Sequence, residues 1–286
     1  MGPRLKKTII ILASIMVISF LITGIILYTT GGVSAVAARA AQITASKTFE
    51  SGQINEVLIN TVNTNINVLP AGDNKISIDF YGSVTSNTAK GLPELVAYEK
   101  NGILSITITY PRTIVAGLIN LSNLYLDVYI PDHYPGKISI ETISGDTTVK
   151  NFSANDFHHK SISGDMIARE FNAANMLLKS TSGSILLEDS RGKIDASSVS
   201  GEIAVKLPDF KNDLNLKTVS GAVKVTMPVN SNFDFDIGSI SGDIYNDFSA
   251  RISYADGRKF EGSVGNGASK LTVSTTSGDI RIMKGE

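Results

Sequence analysis

The 286-residue sequence has no cysteine, which excludes disulfides, thiolate metal sites, cysteine nucleophiles and a lipid attached through a thiol. It has little net charge. The formal value is -1, and once Arg4, Lys6 and Lys7 are set aside, 23 basic residues face 27 acidic ones. A basic footprint for nucleic acid is therefore absent. Histidine is scarce, at three residues. His158 and His159 are adjacent, so a strand points them to opposite faces and they cannot chelate one ion together. His133 lies in an Ile-Pro-Asp-His-Tyr-Pro-Gly turn. Also missing are a nucleophile elbow, a glycine-rich phosphate loop leading into a helix, and a His-Glu-x-x-His zinc phrase. These absences point away from an enzyme and give no sign of a cofactor. The alternative kept open is a carbohydrate-active enzyme of the cell wall, with a carboxylate pair on a β-helix scaffold.

What is present begins with a charge-free run, Thr8 to Tyr28. As a helix at about 1.5 Å per residue it spans about 31 Å, the thickness of a bilayer's hydrocarbon core. Arg4, Lys6 and Lys7 precede it and the next basic residue is Arg39. That asymmetry predicts a cytoplasmic tail over 1–7, a transmembrane signal anchor over 8–28, and a body outside the cytoplasm. A cleaved signal peptide is the competing expectation, because Ala35 to Ala37 and Ala38 to Ala40 resemble small-residue cleavage sites; the length of the apolar run favours the uncut anchor. Residues 29–46, rich in small side chains, read as a spacer.

From Lys137 a phrase recurs: TISGD at Thr142, SISGD at Ser161, STSGS at Ser180, SVSGE at Ser198, TVSGA at Thr218, SISGD at Ser239 and TTSGD at Thr275. The Ser-Gly pairs step by 19, 19, 18, 20, 21 and 36 residues. A fixed period near 20 signals a stacked array. Six residues before each serine stand Ile138, Phe157, Met176, Ile194, Leu214, Phe235 and Leu271. Four before it stand Ile140, His159, Leu178, Ala196, Leu216, Ile237 and Val273. Two before it the residue is always serine or threonine. After the turn, Thr147, Met166, Ile185, Ile203, Val223, Ile244 and Ile280 open a second alternating run. Alternation with period two predicts two short strands per repeat with these columns inward. His159 then falls at an inward apolar position, which predicts a neutral core histidine.

The expected fold class is all-β: a single-chain β-solenoid with rungs of about 19 residues, each pairing with the next, behind one N-terminal transmembrane helix. Gly145, Gly164, Gly183, Gly201, Gly221, Gly242 and Gly278 are the structural corners, expected to supply a backbone conformation that a β-carbon forbids. Residues 137–286 form the regular part, with a hairpin insertion near 247–268 accounting for the 36-residue step. Residues 47–136 read as irregular early rungs, and Pro111 to Ser122 as an apolar excursion.

The Ser-Gly-Asp rungs, the segment Leu126 to Asp146, the phrase NVLPAGDNKISI from Asn67 and the N-terminal apolar run resemble the bacterial LiaG-like adhesin family, over roughly Lys47 to Glu286. The resemblance implies a β-helical domain at the bacterial surface, linked to envelope stress; the anchor, the rungs and the missing catalytic phrases add the expectation of a cell-envelope polymer or protein as partner. Ser184, Glu202 and Ala222 stand where the pattern has aspartate, so nothing that needs a complete acidic ladder carries over. Asp146 and Asp165 form the best neighbouring pair for a calcium ion, but one acidic residue per rung favours hydrogen bonding at the corner.

Overall fold

The computed structural model describes residues 39–86, 92–110 and 119–285. The expected cytoplasmic tail and membrane span lie outside the described residues, and among these no helix is long and apolar enough to cross a membrane. The fold is all-β. Two sheets lie face to face, of twelve and eleven strands among the described residues. Each rung contributes one strand to the leading sheet, turns at the Ser-Gly apex, and contributes a second strand to the trailing sheet.

The pairing follows the sequence columns. Ser153–Ser161 pairs in parallel with His133–Thr142 on one side and Asn172–Ser180 on the other, with Phe157 beside Ile138 and Met176. Met166–Arg169 does the same in the trailing sheet, with Met166 beside Thr147 and Ile185. The inward columns are buried throughout the middle of the stack; Phe157, Leu178, Ile203 and Val223 are at most 1% exposed. Each such side chain contributes about 2 kcal/mol by leaving water, but only against a neighbouring rung, so stability resides in the array.

Spatial order departs from sequence order at both ends, correcting the expectation that each rung pairs with the next. Ser269–Ser277 and Ile280–Gly285 lie between the rung of Leu214–Thr218 and that of Phe233–Ser241. The last repeat in sequence is thus the penultimate one in space. At the other end, Glu56–Asn60 with Asn65–Ala71 is wedged between the later rungs Ile103–Thr109 with Ile119–Pro131 and His133–Thr142 with Thr147–Lys150. The inward columns match closely enough from rung to rung that a transposed order still keeps them in register.

Antiparallel strands close the ends. Glu94–Lys100 lies on Ile103–Thr109, while Lys75–Ser86 and then Arg39–Glu50 extend the trailing sheet. The expected spacer therefore ends before Arg39: Ala41, Ile43 and Ala45 face inward between polar Gln42, Thr44 and Ser46, a strand pattern in small residues. At the far end, Lys259–Val264 and Arg251–Ala255 add antiparallel to Phe233–Ser241. Phe210, Phe235 and Phe248 pack around Phe233, with ring centroids 5.3 to 6.2 Å apart.

Candidate interaction surface

The apex assigns a separate task to each residue of the repeated phrase. The first hydroxyl turns inward and is buried at every copy, from Thr142 to Thr275. At most copies it binds corner backbone, while Ser180 Oγ is buried without a hydrogen-bond partner. Ser161 Oγ donates to Gly164 O at 2.7 Å, Gly201 N donates to Ser198 Oγ at 2.8 Å, and Ser239 Oγ donates to the Gly278 carbonyl of the adjoining rung at 3.1 Å. The next residue points out: Ile143, Ile162, Val199, Val219 and Ile240 are 44 to 60% exposed. The period-two pattern could not decide this, because the chain turns there.

The seven corner glycines are needed for close approach, and none has a left-handed φ. A β-carbon on Gly164 would lie 2.0 Å from the Gly145 oxygen, one on Gly183 2.0 Å from that of Gly164, and one on Gly278 2.1 Å from that of Gly221. Rung backbones touch at the apex. Left-handed backbone occurs at the opposite corner, where Asn151, Glu170 and Asp189 have φ of 59, 50 and 53°, a conformation that costs each about 1 kcal/mol or more. These three border a polar groove with Asp132, His133 and Arg191.

Corner carboxylates bond to backbone. Asp146 Oδ1 accepts from Asp165 N at 3.0 Å, Asp165 Oδ1 from Ser184 N at 2.8 Å, and Asp279 Oδ1 from Asp243 N at 3.1 Å. Among the described residues no three His, Asp or Glu side chains converge as a metal site. One apex escaped the sequence reading. Thr61-Val62-Asn63-Thr64-Asn65 has the same form, with Thr61 Oγ1 donating to Thr142 Oγ1 at 3.1 Å and Asn65 Oδ1 accepting from Asp146 N at 3.1 Å. Its only sequence signal is threonine, β-branched residue and Asx at the right spacing, without the glycine.

His159 is 2% exposed. Its Nε2 lies 3.1 Å from Thr147 Oγ1, the one polar residue in the facing column, and its Nδ1 has no hydrogen-bond partner. Burial lowers its pKa to about 4, so it is neutral at physiological pH. His133 is exposed, its Nδ1 2.8 Å from Ser153 Oγ. His158 points out of the leading sheet.

That outward face presents the functional groups that packing leaves unused. One row reads Ser139, His158, Leu177, Asp195, Asn215; the next reads Glu141, Lys160, Lys179, Ser197, Lys217. Where the rows cross the early rungs, a groove of about 330 Å³ is lined by Glu56, Leu58, Lys137, His158, Lys160 and Lys179. Lys137 pairs with Glu56 at 3.1 Å and Ser139 Oγ donates to Glu56 at 3.1 Å, which fixes the groove's acidic end. Lys160 and Lys179 remain open to solvent.

The profile of a family described as Toastrack DUF4097 matches residues 54–283. No curated protein matches the chain. Among solved structures, a candidate adhesin from Parabacteroides merdae ATCC 43184 has a TM-score of 0.44 at 12% identity, covering 84% of this chain and 95% of that one. A candidate adhesin from Parabacteroides distasonis ATCC 8503 has a TM-score of 0.42 at 14% identity, covering 84% and 97%. A candidate lipid-binding protein from the same organism has a TM-score of 0.40 at 15% identity, covering 84% and 96%.

Proposed function

The chain belongs to the Toastrack DUF4097 family, and from that premise we propose that it is a non-catalytic interaction module of the bacterial envelope, LiaG-like in role. Thr8 to Tyr28 anchors it in the cell membrane, and the solenoid stands outside the cytoplasm. The outward rows of the leading sheet meet an envelope polymer or protein. One observation carries this reading: the inward columns are consumed by packing and most apex hydroxyls and aspartates by backbone bonding, while the outward face of the leading sheet carries a long, repeating array of polar groups with a groove at one end. A long array of lysine, carboxylate and amide groups suits an extended partner better than a small substrate, which needs concave enclosure.

Placement is tested by protease treatment of intact cells: digestion of the solenoid is expected, and full protection would refute it. Recognition is tested by sedimenting the extracytoplasmic part with peptidoglycan and teichoic-acid polymers. Lys160→Glu with Lys179→Glu is expected to cut the bound fraction about tenfold, as reversal of two contact charges should. Turnover of any such polymer, abolished by a single carboxylate change, would replace this reading with an enzymatic one.

A further inference from the structure

The corner opposite the apex keeps residues that the packing of the rungs does not require. Asn151, Glu170 and Asp189 stand one above another there in left-handed backbone. A corner needs that backbone shape, and asparagine or glycine supplies it at least cost. Glutamate does not, because its longer side chain lacks the local hydrogen bond that eases the conformation. Glu170 is nevertheless exposed, and among the described residues its carboxylate meets no hydrogen-bond or ion-pair partner. The side chains of Asn151 and Asp189 are equally unengaged there. A strained residue kept without an internal contact directs attention to something outside the chain.

Two residues further along each turn runs a second row, His133, Ser153, Asn172 and Arg191, in parallel register. The two rows wall a groove of about 450 Å³, with the buried Phe152 between them, a volume in the range of ligand sites. One wall offers acceptors, the carboxylates of Glu170 and Asp189 and the amide of Asn151. The other offers donors. His133 Nδ1 lies 2.8 Å from Ser153 Oγ, which leaves Nε2 free. Arg191 Nε donates to Asp209 at 3.1 Å, which holds the guanidinium while its terminal nitrogens stay open among the described residues. Asn172 buries its Oδ1 without a hydrogen-bond partner, so turning the amide toward the groove forfeits nothing.

We infer that this groove binds an uncharged glycan chain lying along the stack. Members of each row are about 4.8 Å apart, close to the length of one sugar unit in an extended chain, so successive sugars meet successive rungs. Sugar hydroxyls both donate and accept, which is what a donor wall facing an acceptor wall requires. From His133 to Arg191 the groove runs about 14 Å, room for about three units. Charge decides between glycans: Asp132, Glu170 and Asp189 all line the groove and repel a uronate chain. A metal ion is a poorer occupant, because the carboxylates stand in file and among the described residues no three converge on one point. The site is separate from the lysine rows. Within Ser153–Ser161, Lys160 lies near the far end, about 20 Å from Ser153, so this inference does not rest on the reading of the leading sheet.

Calorimetric titration of the full chain, solubilised in a detergent without sugar groups, tests it with cellotriose, the trimer of N-acetylglucosamine and trigalacturonate. At least one neutral trimer is expected to bind, at least tenfold more tightly than trigalacturonate and than its own monosaccharide. No saturable binding of either neutral trimer up to about 10 mM would overturn the inference, and so would trigalacturonate or the monosaccharide binding as well as the trimer. Glu170→Gly with Asp189→Gly strips the acceptor wall while relaxing the backbone. It is expected to weaken the trimer at least tenfold and to leave the urea midpoint unchanged or raised. Undiminished binding would overturn the inference; a lowered midpoint would mean that these side chains serve the fold, and would overturn it too. If Lys160→Glu with Lys179→Glu abolished trimer binding instead, the glycan would belong to the leading sheet and not to this corner.

Discussion

At His159 one buried ring ties packing to pH. Its folded pKa of about 4 lies below the ordinary 6.5, so the unfolded chain takes up a proton that the native state refuses. Native stability from this group is complete above pH 6.5 and falls by about 3 kcal/mol as pH drops toward 4. Leucine fits the column between Ile140 and Leu178 and cannot titrate. The difference in urea stability between wild type and His159→Leu should therefore move by about 3 kcal/mol in favour of the variant between neutral pH and pH 4. A constant difference would mean that the ring is hydrated in solution. The apex glycines respond to size instead. Gly183→Ala drives a methyl to 2.0 Å from the Gly164 oxygen and 3.1 Å from Ser180 Oγ, and should cost about 3 kcal/mol or more. Gly72 has nothing within 4 Å of an added β-carbon, so Gly72→Ala should leave the urea midpoint unchanged or slightly raised.

Strands and apices were legible where one residue type was mandatory. The glycine of each regular apex is compelled by contact between rungs, and the inward columns by exclusion of water; both leave a periodic trace. The Val62 apex left almost none. Thr64 takes the glycine's place, and there the contact is a side chain: the Tyr110 hydroxyl lies 2.6 Å from Thr64 Oγ1. Burial also depends on where a rung stands. Val223 is fully buried between Ile203 and Ile280, whereas Ile244 lies on the edge strand and is half-buried. Identical column positions thus predict unequal effects. Val223→Asp should lose about 4 kcal/mol, a charge trapped between rungs, and Ile244→Asp about half as much. Equal urea midpoints for the two would contradict the placement of Phe233–Asn246 at the end of the stack. The outward rows were predictable from alternation, but the groove at Glu56 and Lys137 was not, because it joins segments 81 residues apart that only the transposed order brings together.

Over the whole molecule, stacking order was the least legible property. Matching columns make every neighbour equally acceptable, so nothing in the repeat itself records which rung lies beside which; the one sign is the 36-residue step. The transposition has an energetic consequence. Removing residues 268–286 does not trim an end but withdraws an interior rung, uncovering Val223 on one side and Ile237 on the other. Hydrogen exchange should show protection lost throughout Phe233–Asn246, not merely at the cut. Retained protection there would mean that Phe233–Ser241 can move up against Leu214–Thr218. That possibility bears on how the protein is made. Synthesis from the amino end delivers Phe233–Asn246 first, and Leu214–Pro228 offers it a docking site whose columns fit. The rung that belongs in that gap arrives later and has to evict a tenant already seated. Maturation would then contain an exchange between two well-paired states, and a slow final phase in refolding, lost when residues 268–286 are absent, would be its signature.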